Sequence, residues 1–398
     1  IMKRNTLFKL FTLGLLALSQ SACENAEYES VDNLIYINEA SSAKAEEVTL
    51  QDEGSTRTSV TVRLAKALDH DVTAELFLDE EALAAYNRKN ETAYKAIAAE
   101  HVTFPKEVKI AAGSVSANPI NIDIASFEAE GGAQYALPIA IRNANGVAKA
   151  EASSSFLLVL VKPLKQPVPK FTYANAMKAA PEGDWGLSLT NYTLEWWVKM
   201  SNFSINNQAI FDSGSGDSEL YIRFGDLVYS NKSGSGYLNN FLQVKTMGGQ
   251  FDTGDPNTSG LEANVWYHFA ITYDAASGTS TLYKNGTAIA SLTSAVGQPM
   301  IINKLQMISS GQQYFRDECE LCQVRLWNVT RTANQIKKNM YKEVNYTDKN
   351  LILYLPMNEG EGNTTLKDVT GNGHDVQVGN MSSNGSSSFT WATYSFAQ

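Results

Sequence analysis

The chain has 398 residues, 32 of them basic and 42 acidic, a net charge of −10, and 43% hydrophobic residues. That length exceeds a single ordinary core and implies two or three domains. An anionic chain with no arginine-rich or Gly-Lys-rich segment repels phosphate backbones, which excludes nucleic acid as a partner.

At the start, Lys3, Arg4 and Lys9 precede an apolar run from Leu10 to Leu18, and Ser19-Gln-Ser-Ala22 leads to Cys23. A basic opening, a short apolar core and small residues before a cut predict a secretory signal peptide over residues 1–22. The run is far shorter than the ~20 residues of a spanning helix. Cleavage before Cys23 resembles the lipobox of bacterial lipoproteins, although Gln20 departs from the small or apolar residue usual three places earlier. Glu24, Glu27 and Glu29 then resemble the acidic export tag of Bacteroidetes-type lipoproteins carried to the outer leaflet of the outer membrane. The expectation is a lipid anchor on Cys23, an acidic tether over 23–32, and a protein facing the cell exterior. Three basic and no acidic residues precede Cys23, so the mature chain carries 29 against 42, a net charge of −13.

Residues 33–162 offer short β-rich runs: Leu34–Ile37, Ser59–Leu64, Val108–Ile110, Ile120–Ile124, Leu137–Ile141 and Phe156–Val161. Their spacing and alternation predict a β-sandwich of immunoglobulin-like size. Asp79–Asn87 and Glu91–Ala99 interrupt it with helix formers behind acidic starts, predicting a short helical insertion. The Ile35-Tyr-Ile37 strand, Leu83-x-x-Tyr-Asn87, Tyr94 and Gly132-x-x-Tyr-x-Leu-Pro138 resemble the uncharacterised N-terminal domain of Bacteroidetes surface lipoproteins. Some of those carry endo-β-N-acetylglucosaminidase or other glycan-handling modules behind it. The resemblance implies a spacer in a glycan-processing system and supplies no catalytic residue.

Pro163, Pro167 and Pro169 favour extended backbone and predict a semi-rigid linker over 163–170. Residues 171–398 then read as a second all-β domain. Val265–Asp274 alternates like a half-buried strand, and Asn285-Gly286 between β-rich runs predicts a type I′ hairpin. Trp266-Tyr-His-x-Ala270, Leu282-Tyr-x-Asn-Gly286, Tyr192–Lys199, Cys322–Asn328, a helix over Thr332–Met340, Leu351–Gly360 and Asp368–Asp375 resemble the laminin-G-like, concanavalin-type jelly roll. Such sandwiches serve as lectins, adhesion modules, enzymes and spacers, so the resemblance implies fold before function.

Catalysis has little to stand on. Glycosidases of this fold set Glu-x-Asp-x-x-Glu on one strand, but Glu195 is followed by Trp197 and Met200, so the paired carboxylate is missing. His70, His101, His268 and His374 are scattered, and His268, mid-strand among apolar neighbours, reads as structural. Cys319 and Cys322 on one strand would point to opposite faces ~10 Å apart, predicting two structural thiols. The oxygen-rich turns Asp212–Asp217, Asp252–Asp255 and Asp368–Asn372 could hold calcium, although Asx turns explain them without metal.

For a glycan, Trp185, Tyr229 and Tyr237 lie in Gly/Ser/Asn-rich loops beside Asn239 and Asn240, pairing stacking rings with amides. Trp197 shares a strand face with Thr193, Glu195 and Lys199 and is either a stacking platform or the fold's recurrent structural Trp. The expected protein is therefore a non-catalytic, lipid-anchored surface protein that binds glycan in a polysaccharide-uptake system, beside other components of such a complex. An adhesin with a protein ligand and a glycoside hydrolase with an unrecognised site are the alternatives.

Overall fold

A computed structural model describes residues 32–90, 92–172, 177–179, 185–213, 219–378 and 389–396. The signal peptide, Cys23 and nearly all of the acidic tether lie outside them. Two β-sandwiches follow one another, and the chain is all-β apart from short helices.

In the first sandwich, Leu34–Ile37 pairs between Ala148–Lys149 and Val62–Leu64. A larger sheet runs Ala45–Thr49, Ser155–Val161, Tyr135–Arg142, Val72–Leu78, Glu107–Ile110. A third is Ser55–Val60, Ile120–Ala125, Val102–Thr103. Alternation drives this arrangement: Ile120, Ile122 and Ile124 are buried while Asn121 is exposed, as period-two side chains require.

The insertion forms one helix, Glu80–Asn90, with Leu83 buried. The second predicted helix does not form. Lys95–Ala96 instead pairs with Tyr135–Ala136, followed by a single 3-10 turn at Ala99–His101. Asn87 explains the stop: its amide donates to Tyr94 O at 2.9 Å, and its oxygen accepts from Thr92 Oγ1 at 2.8 Å and Tyr94 N at 3.1 Å. One side chain thus takes over the hydrogen bonds that a continuing helix would have used.

The expected linker over 163–170 is a strand. Leu164–Phe171 pairs along nearly its whole length with Thr390–Phe396, burying Val168 and Phe171. Proline offers no N–H to a ladder, and on its other side this strand meets Cys319–Trp327 only at Lys170 and Phe171. Only Lys162 and Pro163 separate the two sandwiches' strands.

The second sandwich packs two sheets over one core. The first sheet runs Thr287–Thr293, Thr279–Lys284, Tyr267–Asp274, Asn191–Met200, Cys319–Trp327, Leu164–Phe171, Thr390–Phe396. Opposite it lies a sheet running Gly249–Asp252, Leu242–Thr246, Leu220–Phe224, Gln208–Ser213, Leu305–Met307 and on to Thr365–Leu366.

The Asn-Gly hairpin is present: Asn285 and Gly286 have φ of 49° and 76°. A Cβ on Gly286 would lie 2.9 Å from the Lys337 Cβ. Gly286→Val therefore meets both backbone strain and the covering helix, and we expect a loss of ~1–3 kcal/mol in thermal unfolding. An unchanged melting temperature would show that the hairpin relaxes at no cost.

Candidate functional site

The outward side of the first sheet is covered over its central strands. Tyr192, Leu194, Trp196 and Val198 alternate into the core, leaving Thr193, Glu195, Trp197 and Lys199 on the other side. The helix Ala333–Asn339 covers that side, started by a capping box between Thr332 and Gln335. Carbonyls at its C-terminal end are satisfied by the sheet: Met340 O accepts from Trp197 Nε1 at 2.7 Å, and Asn339 O from Arg325 Nη1 at 3.0 Å. Trp197 is only 4% exposed, with His268, Tyr341 and Phe396 packed around its ring. It cannot stack a sugar, and the sheet-face role for it is corrected to a structural one.

Beneath the same helix, Glu195 Oε1 accepts from Arg331 Nη1 at 2.6 Å and Trp327 Nε1 at 2.8 Å, with Arg325 at 3.8 Å. Burial would raise this carboxyl's pKa, but the arginines hold it below its ordinary value. His268, 3.8 Å away, is pushed down to about 4 by burial against the opposing pull of Glu195. The unfolded chain protonates this histidine near pH 6.5, earlier than the folded one. Stability should therefore fall as pH drops from about 6.5 toward 4, by up to about 3 kcal/mol. Urea unfolding across that window should show a shallower loss for His268→Gln; equal slopes would assign the loss to other groups.

The loop aromatics divide between two places. Tyr229 donates to both Asp252 oxygens at 3.0 and 3.1 Å and sits edge-on to Phe241. Burial and Asp252 push its hydroxyl up to about 12. Tyr237 is 49% exposed and bridges Ser230. Asn240, half-buried, donates to Leu261 O at 3.0 Å. Asn239 packs against Gly225, where a Cβ would come within 2.7 Å, and its buried Oδ1 accepts nothing. Trp185 belongs elsewhere: its backbone N–H bonds Asn303 O at 2.7 Å and its ring lies 4.4 Å from that of His374. Trp185 is thus placed by Asn303 and His374, and Tyr229 by Asp252 and Phe241.

The open polar surface is the outward side of the second sheet. In Leu220–Phe224, Tyr221 and Arg223 alternate outward between buried Leu220, Ile222 and Phe224. Arg223 faces Gln243, which faces Asp252; Tyr221 lies between Asp212 and Lys245. Arg223 Nε and Nη2 donate to Gln243 Oε1 at 3.0 and 2.8 Å, Nη1 to Asn207 Oδ1 at 2.9 Å, and Nη2 to Asp226 Oδ2 at 2.5 Å. Tyr221 OH donates to the same Asn207 oxygen at 2.9 Å. A guanidinium, the Asn207 amide, a carboxylate and a phenol, each partly exposed, are thus fixed side by side over the buried Gln243. Asp212, half-buried beside them, has its carboxyl pushed up by burial, with Lys304 pulling the other way. Fixed donors and acceptors beside an aromatic ring suit a polyhydroxylated ligand. Sequence reasoning missed this cluster, although the strict alternation of Leu220-Tyr-Ile-Arg-Phe224 could have marked it.

Residues 173–337 match the family model of the concanavalin A-like lectin/glucanases superfamily. The C-terminal unit is a concanavalin A-like domain. Residues 28–148 match a family model described as an N-terminal domain. A Bacteroides ovatus structure, described as a candidate carbohydrate-binding protein, is 21% identical and covers 92% of this chain and 98% of its own, with a TM-score of 0.59. That likeness shows the fold alone. EndoBT-3987 of Bacteroides thetaiotaomicron with a Man5GlcNAc product is 20% identical over 32% of this chain and 30% of its own, at a TM-score of 0.29. A SAP-like pentraxin of Limulus polyphemus is 13% identical over 42% and 82%, at 0.30. Superpositions that poor support nothing further. No curated protein matches the chain.

Among the described residues of the concanavalin A-like domain, no group of three or more His, Cys, Asp or Glu is placed to hold a metal. Its oxygen-rich turns spend their carboxylates on their own backbone. Asp252 accepts from Gly254 N, Asp255 caps Pro256–Ser259 through Asn257 N, and Asp368 accepts from Tyr354 N and Thr370 N. Asp252–Asp255 and Asp368–Asn372 thus form Asx-type turns, while most of the Asp212–Asp217 turn lies outside the described residues. Cys319 and Cys322 are free and buried, opposite Met200 and Trp197, and burial pushes both thiols up.

Proposed function

We propose that this protein captures glycan at the cell surface without cleaving it, through the outward face of the second sheet of its concanavalin A-like domain. The observation that carries this reading is the Arg223 network, which, held from beneath by the buried Gln243, presents Tyr221, Asn207 and Asp226 as one fixed set of donors and acceptors. Support for a non-catalytic role comes from Glu195, the carboxylate in the glycosidase-like strand, which is buried and committed to Arg331 and Trp327. A broad glycan array, probed with purified protein with and without chelator, tests the reading. Saturable binding without release of reducing ends supports it; released reducing ends would replace it with a hydrolase. A protein ligand is the second reading, favoured by Leu227 and Val228, which stand 58% and 47% exposed beside this face. Binding to protein and to no glycan would establish it.

The same proposal places the protein on the outer membrane through Cys23, as one part of a polysaccharide-uptake system. Acyl chains on that cysteine would supply its membrane affinity. Cys23→Ala should therefore move the protein from the membrane fraction to soluble material, and unchanged fractionation would sink the lipid anchor.

A further inference from the structure

The geometry points to a second ligand site, in the cleft between the two domains, that takes one neutral sugar residue. A cavity of about 220 Å³ lies there, lined from both sides. On the first domain's side are Phe127 and Tyr135, half-buried rings that meet edge to face at 5.0 Å. Lys342 and Lys165 enter from the concanavalin A-like domain, and Lys162 from the connection.

The cleft has a fixed width because the domains are latched beside it. Tyr346 N donates to Gly131 O at 3.2 Å, across the domain boundary. Gly131 and Gly132 both have positive φ, and a Cβ on Gly132 would lie 2.3 Å from Val344 O and 2.5 Å from the Tyr346 ring. Only glycine permits that approach. The ion pair Lys342–Glu47 at 2.6 Å also crosses the boundary, as does Lys165–Asp52 at 3.0 Å.

The chemistry of the lining selects the ligand. Each lysine already has its carboxylate, the third pair being Lys162–Glu128 at 3.1 Å, and the further lining carboxylate, Glu343, accepts from the Tyr346 hydroxyl, so no free cation is offered to an anion. What remains is hydrogen-bond donors beside acceptors, next to aromatic rings. A pyranose ring, apolar on its C–H face and hydroxylated at its rim, matches that combination. The volume falls below the ~300–1,000 Å³ of pockets for larger ligands, so it suits a single residue rather than a chain. This site goes beyond the sheet-face reading and shares no residue with it.

The full protein would be titrated with glucose, mannose, galactose, N-acetylglucosamine and glucuronate, using calorimetry and saturation-transfer NMR. At least one neutral sugar should bind saturably. Tyr135→Ala and Lys342→Ala should weaken it about tenfold or more, and Gly132→Val, which wedges the latch, should do the same. Sugar binding that persists in Arg223→Ala and is lost in Lys342→Ala belongs to the cleft, which separates this site from the sheet face. If Tyr135→Ala fails to fold, Lys342→Ala decides alone, because it truncates a side chain at the boundary. The proposal is overturned if no neutral sugar binds, if glucuronate binds more tightly than every neutral sugar, or if Lys342→Ala keeps full affinity.

Discussion

Glu195→Ala will cost about 3–5 kcal/mol of stability, because it removes the anion from a buried charge network and leaves two cations behind. Arg331 and Arg325 are 6% and 0% exposed, and Arg331 bonds Glu195 at 2.6 Å. Arg325 cannot reach bulk water without moving the covering helix, since it also donates to Asn339 O and Lys342 O. The Trp327 indole N–H loses its acceptor as well. Losing a surface ion pair would cost at most about 1 kcal/mol; here the cations stay desolvated, so leaving them unpaired costs several times more. Adding Arg331→Met to Glu195→Ala should recover part of the loss, because it removes one of the orphaned cations. Urea unfolding of the two variants measures this. A loss below about 1 kcal/mol for the single variant would mean that water enters and solvates the arginines.

Legibility followed the range of the interactions. The Asn285-Gly286 turn, the alternating strands and the Thr332 capping box are local, and each could be read from a few residues. The strand at Leu164–Phe171 could not, because its partner, Thr390–Phe396, lies more than two hundred residues away in the sequence and three prolines argue locally for a linker. Glu91–Ala99 misled in the opposite way. Its composition favours helix, yet Asn87 and the Tyr135–Ala136 strand edge together offer its backbone better partners. The candidate site was hardest. Trp197 has polar neighbours along its strand, and only the distant helix over it decides that they are buried. Tyr221 and Arg223 are marked only by strand alternation, and their network forms because Asn207 and Gln243 arrive from two other segments, while Asp226 follows three residues after Arg223.

Arg223→Ala will weaken glycan binding by about thirtyfold or more, roughly 2 kcal/mol, if the second-sheet face is the binding surface. The side chain makes four hydrogen bonds to three residues, so its loss leaves Asn207 held only by Tyr221 and Asp226 only by Gln243 within the network. A ligand would then have to order groups that the wild type holds ready, and preorganisation is where affinity is lost. Arg223→Lys sharpens the test. It keeps the charge but not the planar fork, so it should also lose most of the binding. Tyr221→Phe, which keeps the ring and drops the bond to Asn207, should fall between wild type and Arg223→Ala. Trp197→Ala provides the contrast: its buried indole predicts a loss of about 3–5 kcal/mol in stability, with affinity intact in the molecules that remain folded. Calorimetry and thermal melts on all four variants separate these cases. If Arg223→Ala binds as the wild type does while Tyr237→Ala loses binding, the ligand sits on the exposed loop and the sheet face is a bystander.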